Sequence, residues 1–125
     1  MVRKIYTAKN ATSSGPYSHA VDGGDYIFFS GQTAMNSDQP LSPKSDVTSQ
    51  TKQVFANLHD VMEQAGVTSD DVVKVNVYLT DMGDFEEMNE VYMTQFNTPY
   101  PARTCVAVKA LPLGASVEIE LIAKR

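Results

Sequence analysis

The sequence is poor in the residues that build disulfides and metal centres, and it has no long hydrophobic run. Its single cysteine, Cys105, cannot form an internal disulfide, and no secretory signal is apparent, so we expect a reduced, cytoplasmic protein. The two histidines, His19 and His59, are far apart and lack paired cysteines, which argues against a metal site. No segment approaches the ~20 apolar residues of a membrane span, and the common phosphate-binding, dinucleotide-binding and zinc-protease motifs are absent.

The charge balance is acidic. Fifteen Asp and Glu residues against ten Lys and Arg residues make the formal net charge −5 at pH 7, and the isoelectric point is about 4.8. Such a chain repels a polyanion at long range, so nucleic acid is not expected to be its main partner. Hydrophobic residues make up 42% of the chain and charged residues 20%, which is typical of a globular protein with a buried core.

The length predicts a single domain, residues 1–125, with no repeat or linker. The alternating segment 2–7 indicates a short strand, at a sheet edge. Residues 18–31 indicate a hairpin that turns at 22–25, where the sequence Asp-Gly-Gly-Asp includes glycines that accept positive φ without penalty. The polar, proline-containing stretch 32–45 predicts a surface loop.

Apolar stripes at helical spacing predict two helices. The longer spans residues 46–65 and ends at Gly66, in the position where a glycine commonly terminates a helix. The shorter opens with an acidic variant of the capping box, formed by Asp84 and Glu87, and stops before Pro99. Its apolar stripe comprises Phe85, Met88, Val91, Tyr92 and Phe96.

A strand lies between the helices and a hairpin follows them. Residues 72–80 predict a strand with Val73, Val75, Val77 and Leu79 on one face, and residues 104–110 and 116–124 predict a closing hairpin. The element order β, β, β, α, β, α, β, β favours an α+β fold, in which a mixed sheet of about six strands carries two helices on one face.

The closing hairpin predicts a candidate site. Side chains alternate along a strand, so pairing the apolar residues of its two strands in the core would place Arg103 and Cys105 on the opposite face. Glu118 and Glu120 would share that face. The expected site therefore combines a guanidinium, a thiol and two carboxylates, and the register does not choose between the two glutamates.

Two plainer interpretations of these residues are open. The face could be an ordinary solvated surface with cross-strand ion pairs, each contributing up to ~1 kcal/mol. Cys105 could be a packing residue, since free cysteine behaves as a small hydrophobe and no histidine has a sequence-based claim to activate it. The apolar Ala107 and Ile122 interrupt this face, which indicates partial burial, for instance against another subunit.

Four segments, SGPYS, FSGQ, PARTCV and VEIELIA, resemble the RidA (YjgF) family of reactive intermediate/imine deaminases, and the resemblance extends over essentially the whole chain. It implies a chorismate-mutase-like α+β fold and a homotrimer with clefts between subunits. The implied reaction is hydrolysis of 2-aminoacrylate and related enamines and imines to 2-oxo acids and ammonia, with no cofactor and no metal.

The resemblance also implies a role for individual residues. Arg103 would bind the substrate carboxylate, for which a guanidinium fork is well shaped, and Glu118 would orient or activate water. The implied substrate-binding positions are Tyr17, Ser30, Gly31, Asn89 and Cys105. Tyr17 would close the cleft from a neighbouring chain, whereas Gly31 and Cys105 would contribute backbone groups.

For three residues the sequence pattern predicts only a solvent-exposed side chain. His19 stands where the family often has an amide, and a surface histidine at a loop–strand boundary is the expected outcome. His59 is expected to be solvated on the outer face of the long helix. The helix pattern likewise predicts a solvent-facing Asn89.

Two other functions compete with imine hydrolysis. A trimer that binds small carboxylates as a regulator, without turnover, would use the same arginine but would not need Glu118. RNA cleavage is a third possibility for a member of this family, and the acidic charge and the lack of a basic, aromatic-interleaved patch count against it.

Overall fold

One mixed sheet carries both helices on the same face. A computed structural model describes residues 2–8, 15–35 and 46–125. The strands are β1 (Ile5–Tyr6), β2 (Ala20–Asp22), β3 (Tyr26–Gln32), β4 (Val72–Leu79), β5 (Ala102–Ala107) and β6 (Val117–Lys124), and the helices are α1 (Val47–Ala65) and α2 (Phe85–Gln95). The sheet order is β1-β2-β3-β6-β4-β5, which confirms the predicted α+β class and a sheet of six strands.

The first hairpin forms as predicted. Strands β2 and β3 are antiparallel, and the turn places Gly24 at φ 97°, which glycine adopts readily. The Asp22 carboxylate accepts a hydrogen bond of 2.8 Å from the Gly24 backbone N–H. The short strand β1 pairs with β2 and lies at the sheet edge, as expected. Residues 36–45 of the predicted surface loop lie outside the described residues.

Local signals also determine the long helix. The Asp46 side chain caps α1 by accepting a 2.7 Å hydrogen bond from the Ser49 N–H. Gly66 ends the helix in the left-handed conformation, at φ 73°. The predicted apolar stripe is buried against the sheet. Its fully buried members include Val54, Phe55, Leu58, Val61 and Met62.

The predicted capping box of the second helix is wrong. The Asp84 side chain makes no capping hydrogen bond, because Asp84 has helical backbone dihedrals and closes a 3₁₀ turn, Met82–Asp84. The cap lies one turn earlier, where the Asp81 carboxylate accepts a hydrogen bond of 2.8 Å from the Gly83 N–H. Met88, Val91 and Tyr92 of α2 are buried.

The predicted apolar face of β4 contains one error. The register shifts between Val72 and Lys74, so Val72 is 6% exposed and Val73 is 40% exposed. An extra residue in a strand moves its neighbours to the other face. Val75, Val77 and Leu79 face the core as predicted.

The predicted closing hairpin is also wrong. Strand β5 pairs in parallel with β4, while β6 lies between β3 and β4 and is antiparallel to both. The apolar content of the strands explains this order, because β6 buries Val117, Ile119, Leu121 and Ala123 and occupies the sheet centre. No residue of β5 is buried, and this strand occupies the edge, with α2 as the crossover that parallel neighbours need.

Neither helix of the described residues combines the length and the apolar character that crossing a bilayer demands.

Candidate active site

Two cavities on opposite faces of the sheet contain most of the predicted site residues. The open-face cavity, of about 320 Å³, is lined by Tyr17, Ser30, Gly31, Glu118 and Glu120, among others. The helix-side cavity, of about 260 Å³, is lined by Asn89, Tyr92, Met93, Tyr100, Pro101 and Arg103. One chain therefore presents two incomplete groups of site residues.

The prediction that the arginine and the glutamates share a face is wrong. Arg103 lies beside Val75 in the β4–β5 ladder, and Val75 faces the core, so Arg103 projects towards α2. Glu118 lies beside Tyr78 in the β4–β6 ladder and projects from the open face. The error follows from the false hairpin, because the partner strand decides which residues share a side.

Neutral groups hold the Arg103 guanidinium. It donates a hydrogen bond of 2.5 Å to the Asn89 side-chain oxygen. Its central carbon lies 4.6 Å from the Tyr92 ring centroid and 5.6 Å from that of Phe85. Among the described residues the one ion pair joins Arg125 and Asp22. Most of the five N–H donors of Arg103 are therefore available to an anion.

Asn89 and Cys105 accompany Arg103 on the helix side. Asn89 is half-buried by its contact with Arg103, so the expectation of a solvent-facing asparagine is wrong. Cys105 is a free, half-buried thiol packed against the core. Burial raises the pKa of the Cys105 thiol, and the nearby Arg103 only partly opposes this rise. A protonated thiol is a poor nucleophile, which agrees with a packing role.

Glu118 is packed against Gly31 on the open face. A Cβ atom at position 31 would lie 2.9 Å from Glu118 Oε1 and 3.1 Å from Cδ. Burial raises the pKa of the Glu118 carboxyl, and the neighbouring Glu120 carboxylate raises it further. No described residue donates a hydrogen bond to this carboxylate. Glu118 is thus a carboxyl group with raised proton affinity beside a cavity, as general acid–base chemistry requires.

Glu120 differs from Glu118 in its hydrogen bonds. Its carboxylate accepts a hydrogen bond of 2.6 Å from the Tyr78 hydroxyl and one of 3.2 Å from the Asn76 side-chain amide. The bond to Glu120 is the main reason that the pKa of Tyr78 rises to about 12. Because Glu120 is occupied by β4 side chains, Glu118 is the carboxylate that is available for chemistry, a distinction that the strand pattern alone did not make.

Replacing Gly31 by alanine should impair the site more than the fold. The new methyl group would displace the Glu118 carboxylate, the mobile end of a flexible side chain. We expect kcat for imine hydrolysis, the reaction that the family resemblance implies, to fall at least tenfold, because an acid–base group is displaced. The change in Tm should be small. Gly24→Ala is the matched control, since its added Cβ has open space but an unfavourable φ of 97°. It should lower Tm and leave kcat nearly unchanged; the reverse pattern would contradict this account of Gly31.

Ser30 and Tyr17 form another wall of the open-face cavity. The Ser30 hydroxyl donates a hydrogen bond of 2.6 Å to the Ser18 carbonyl, and the Ser30 N–H donates one of 2.9 Å to the His19 carbonyl. These bonds hold the segment that carries Tyr17, whose side chain is 42% exposed. The β3–β6 register shift between Phe29 and Gln32 places Ser30 and Gly31 at an irregularity, a feature common next to active sites.

Both histidine expectations are wrong. His19 is 5% exposed, and its Nδ1 accepts a hydrogen bond of 3.4 Å from the Ala8 N–H. His59 is half-buried, and its Nε2 lies 3.0 Å from the Gln95 side-chain oxygen on α2. Tertiary partners bury His19 and partly bury His59, which a local pattern does not reveal. The described residues contain no group of three His, Cys, Asp or Glu side chains that could hold a metal ion.

The sequence pattern missed the aromatic support of Arg103. Tyr92 and Phe85 were assigned only to the apolar stripe of α2, yet both rings contact the guanidinium. The cavity rim was missed too, since Leu113 lines the open-face cavity and has an unusual positive φ of 62°. The available signal for the aromatic support of Arg103 was the presence of two aromatic residues, Phe85 and Tyr92, in the apolar stripe of α2.

Comparisons with known proteins find relatives along nearly the whole chain. The family model described as Endoribonuclease L-PSP matches residues 7–125. A 2-iminobutanoate/2-iminopropanoate deaminase of Mus musculus is 40% identical, with 98% of this chain and 92% of the mouse protein covered. The structure of RidA from an Antarctic Psychrobacter has a TM-score of 0.89 and 41% identity, with 97% of this chain and 98% of that chain covered.

The structure of E. coli TdcF with bound serine also has a TM-score of 0.89, at 36% identity, and 98% of each chain is covered. The two proteins thus share a fold along nearly the whole length of each chain. Because the family model and relatives of this similarity both span almost all of the sequence, the chain belongs to the RidA (YjgF) family, whose family model is described as Endoribonuclease L-PSP.

Proposed function

We propose that this protein hydrolyses 2-aminoacrylate and related enamines and imines to 2-oxo acids and ammonia. One observation carries the proposal: among the described residues, Arg103 has no acidic partner, and Glu118, whose pKa is raised, has no hydrogen-bond donor. A 2-imino acid needs both groups, because it has a carboxylate to bind and an imine carbon that water must attack. The mouse deaminase named above supports the same reaction.

The chemistry assigns one step to each residue. Arg103 binds the substrate carboxylate through two parallel hydrogen bonds. Glu118 takes a proton from water as the oxygen adds to the imine carbon, and a carbinolamine forms. The Glu118 carboxyl returns that proton to nitrogen, which makes the carbinolamine neutral. Glu118 then takes the hydroxyl proton and delivers it to nitrogen as the carbon–nitrogen bond breaks, so ammonia leaves with both protons of the water and the carbon–oxygen double bond of the 2-oxo acid remains. Tyr17, Ser30 and Gly31 would complete the pocket around the reacting carbon.

A homotrimer with sites between subunits is part of the proposal. Within one chain, β4 separates Arg103 from Glu118, and the two side chains point to opposite faces. The open face also exposes large apolar side chains, including Phe28 at 50% and Val106 at 41%. A second copy could cover this surface while bringing its Arg103 edge to the first copy's Glu118.

The direct test generates 2-aminoacrylate from serine with a dehydratase and follows pyruvate release. We expect the pure protein to accelerate this release; an unchanged rate at saturating protein would refute the proposal. The cytoplasm is the proposed location, in keeping with the free thiol of Cys105.

Subunit mixing tests the shared site. Chains carrying Arg103→Ala and chains carrying Glu118→Gln should each be inactive alone. When the two are refolded together in equal amounts, random cyclic trimers should recover about a quarter of the wild-type activity, since each working site needs one intact group from each of two neighbours. If the activity does not return although mixed trimers form, the site does not combine residues of two chains.

Binding of small carboxylates without turnover is the second candidate, favoured by the neutral partners of Arg103 and by the serine bound in the E. coli relative. Glu118→Gln distinguishes the two functions. An enzyme should lose pyruvate formation in this variant while it still binds 2-oxobutyrate, whereas a regulator would show no turnover even as the wild type.

A further inference from the structure

The cationic group of Arg103 lies against an aromatic surface formed by Tyr92 and Phe85 of α2. The Tyr92 ring is the nearer of the two, with its centroid 4.6 Å from the guanidinium carbon, and Phe85 is 5.6 Å away. Aromatic faces attract a guanidinium electrostatically at these distances. Unlike a carboxylate, they do so without occupying its N–H donors.

The Tyr92 ring is itself held rigidly. It is 4% exposed and contacts Phe55 edge-on at 5.9 Å and Phe96 at 5.0 Å between ring centroids. Phe55 and Phe96 also contact each other at 5.8 Å. Three rings therefore brace one another, and the guanidinium rests on one member of a packed cluster. Such bracing limits the positions that the Arg103 side chain can adopt.

The Tyr92 hydroxyl has no hydrogen-bond partner among the described residues and is buried. Burial raises the pKa of Tyr92, with Arg103 opposing and Tyr100 adding to the rise, so the phenol remains neutral. It therefore does not neutralise Arg103 as a phenolate would. The ring, and not the hydroxyl, is the part of Tyr92 that acts on the guanidinium.

We infer that Tyr92 is a positioning residue, whose ring, together with that of Phe85, orients Arg103 for substrate carboxylates while leaving its charge and donors available. The inference rests on the proposed role of Arg103 in carboxylate binding. Orientation of the arginine affects the ground state and the transition state equally, so its loss should raise KM and leave kcat nearly unchanged.

The experiment compares Tyr92→Leu with Tyr92→Phe. Calorimetry with 2-oxobutyrate should show affinity about tenfold weaker for Tyr92→Leu, the range of a desolvated cation–π contact, and KM for 2-aminoacrylate should rise in parallel. Tyr92→Phe keeps the ring and should restore the affinity. Phe96→Leu is the matched control, because Phe96 belongs to the same cluster but not to the rings that contact the guanidinium. It should lower Tm as Tyr92→Leu does, without the loss of affinity.

Phe85→Leu keeps the test decisive if Tyr92→Leu does not fold, since Phe85 is only partly buried; a twofold to fourfold loss of affinity is expected from its longer contact. Unchanged affinity in the leucine variants, or equal losses in Tyr92→Leu and Tyr92→Phe, would overturn the inference. Turnover with an unaltered KM in Tyr92→Leu would overturn it and leave the proposed function intact. If the wild type binds 2-oxobutyrate with an affinity that Tyr92→Leu weakens but never releases pyruvate, the proposed function alone is refuted. If the wild type neither binds 2-oxobutyrate nor releases pyruvate, both are refuted.

Discussion

Arg103→Ala is expected to lower kcat/KM for 2-aminoacrylate by at least about 100-fold, because two charge-assisted hydrogen bonds to a carboxylate together contribute about 3 kcal/mol. Affinity for 2-oxobutyrate should fall by a similar factor. The fold should survive, since Arg103 is at the sheet edge and its only hydrogen-bonded side-chain partner among the described residues is Asn89. Pyruvate release and calorimetry measure the two effects, and Tm monitors the fold.

Two variants sharpen the Arg103 experiment. Arg103→Lys keeps the charge but loses the planar fork, so it should recover only part of the affinity. Arg125→Ala removes a guanidinium that is already paired with Asp22 and bonded to Tyr6. It should leave KM nearly unchanged while lowering Tm slightly. Equal losses of affinity in Arg103→Ala and Arg125→Ala would indicate a general charge effect and would contradict a specific carboxylate site.

Glu118→Gln is expected to lower kcat by about 10²- to 10⁴-fold, the usual contribution of a positioned acid–base group. Binding of 2-oxobutyrate should change much less, because the carboxylate is bound elsewhere, by Arg103. Glu120→Gln is the matched control on the same strand face. It should lower kcat much less than Glu118→Gln does, because Tyr78 and Asn76 already hydrogen-bond to Glu120. Similar losses in both variants would remove the distinction between the glutamates.

The pH profile gives an independent check on Glu118. Its pKa is raised in the folded protein, and the first step needs the carboxylate form, so kcat should fall as the pH drops through that raised value. Glu120→Gln removes one cause of the rise, and the acid limb should therefore move to lower pH. A shift in the opposite direction, or none, would show that another group controls the acid limb.

Local signals predicted the parts of the fold that depend on neighbouring residues. The glycine that ends α1, Gly66, and the Asp-Gly-Gly-Asp turn act within a few residues of the chain, and both formed where expected. The capping box at Asp84 is the exception, because the helix start was displaced by a 3₁₀ turn. The partner of β5 is a non-local choice. Residues 111–116 could connect a hairpin, but β6 has buried side chains along its length and takes a central place, whereas β5 has none and pairs with β4 at the edge.

The candidate site depended on that choice. The sequence singled out Arg103 and Glu118 as candidate site residues, but their relative placement required the identity of the intervening strand. The choice between Glu118 and Glu120 needed the side chains of Asn76 and Tyr78, over 40 residues earlier in sequence. His19 was misjudged for the same reason, since Ala8 in another segment is its partner.

The tyrosines around the two cavities allow an optical measurement. The chain has six tyrosines and no tryptophan, so tyrosine fluorescence is not lost by energy transfer to an indole. Tyr92 and Tyr100 line the helix-side cavity and Tyr17 lines the open-face cavity. A ligand entering either space would alter the surroundings of an emitting phenol, and titrations could follow occupancy in the unlabelled protein.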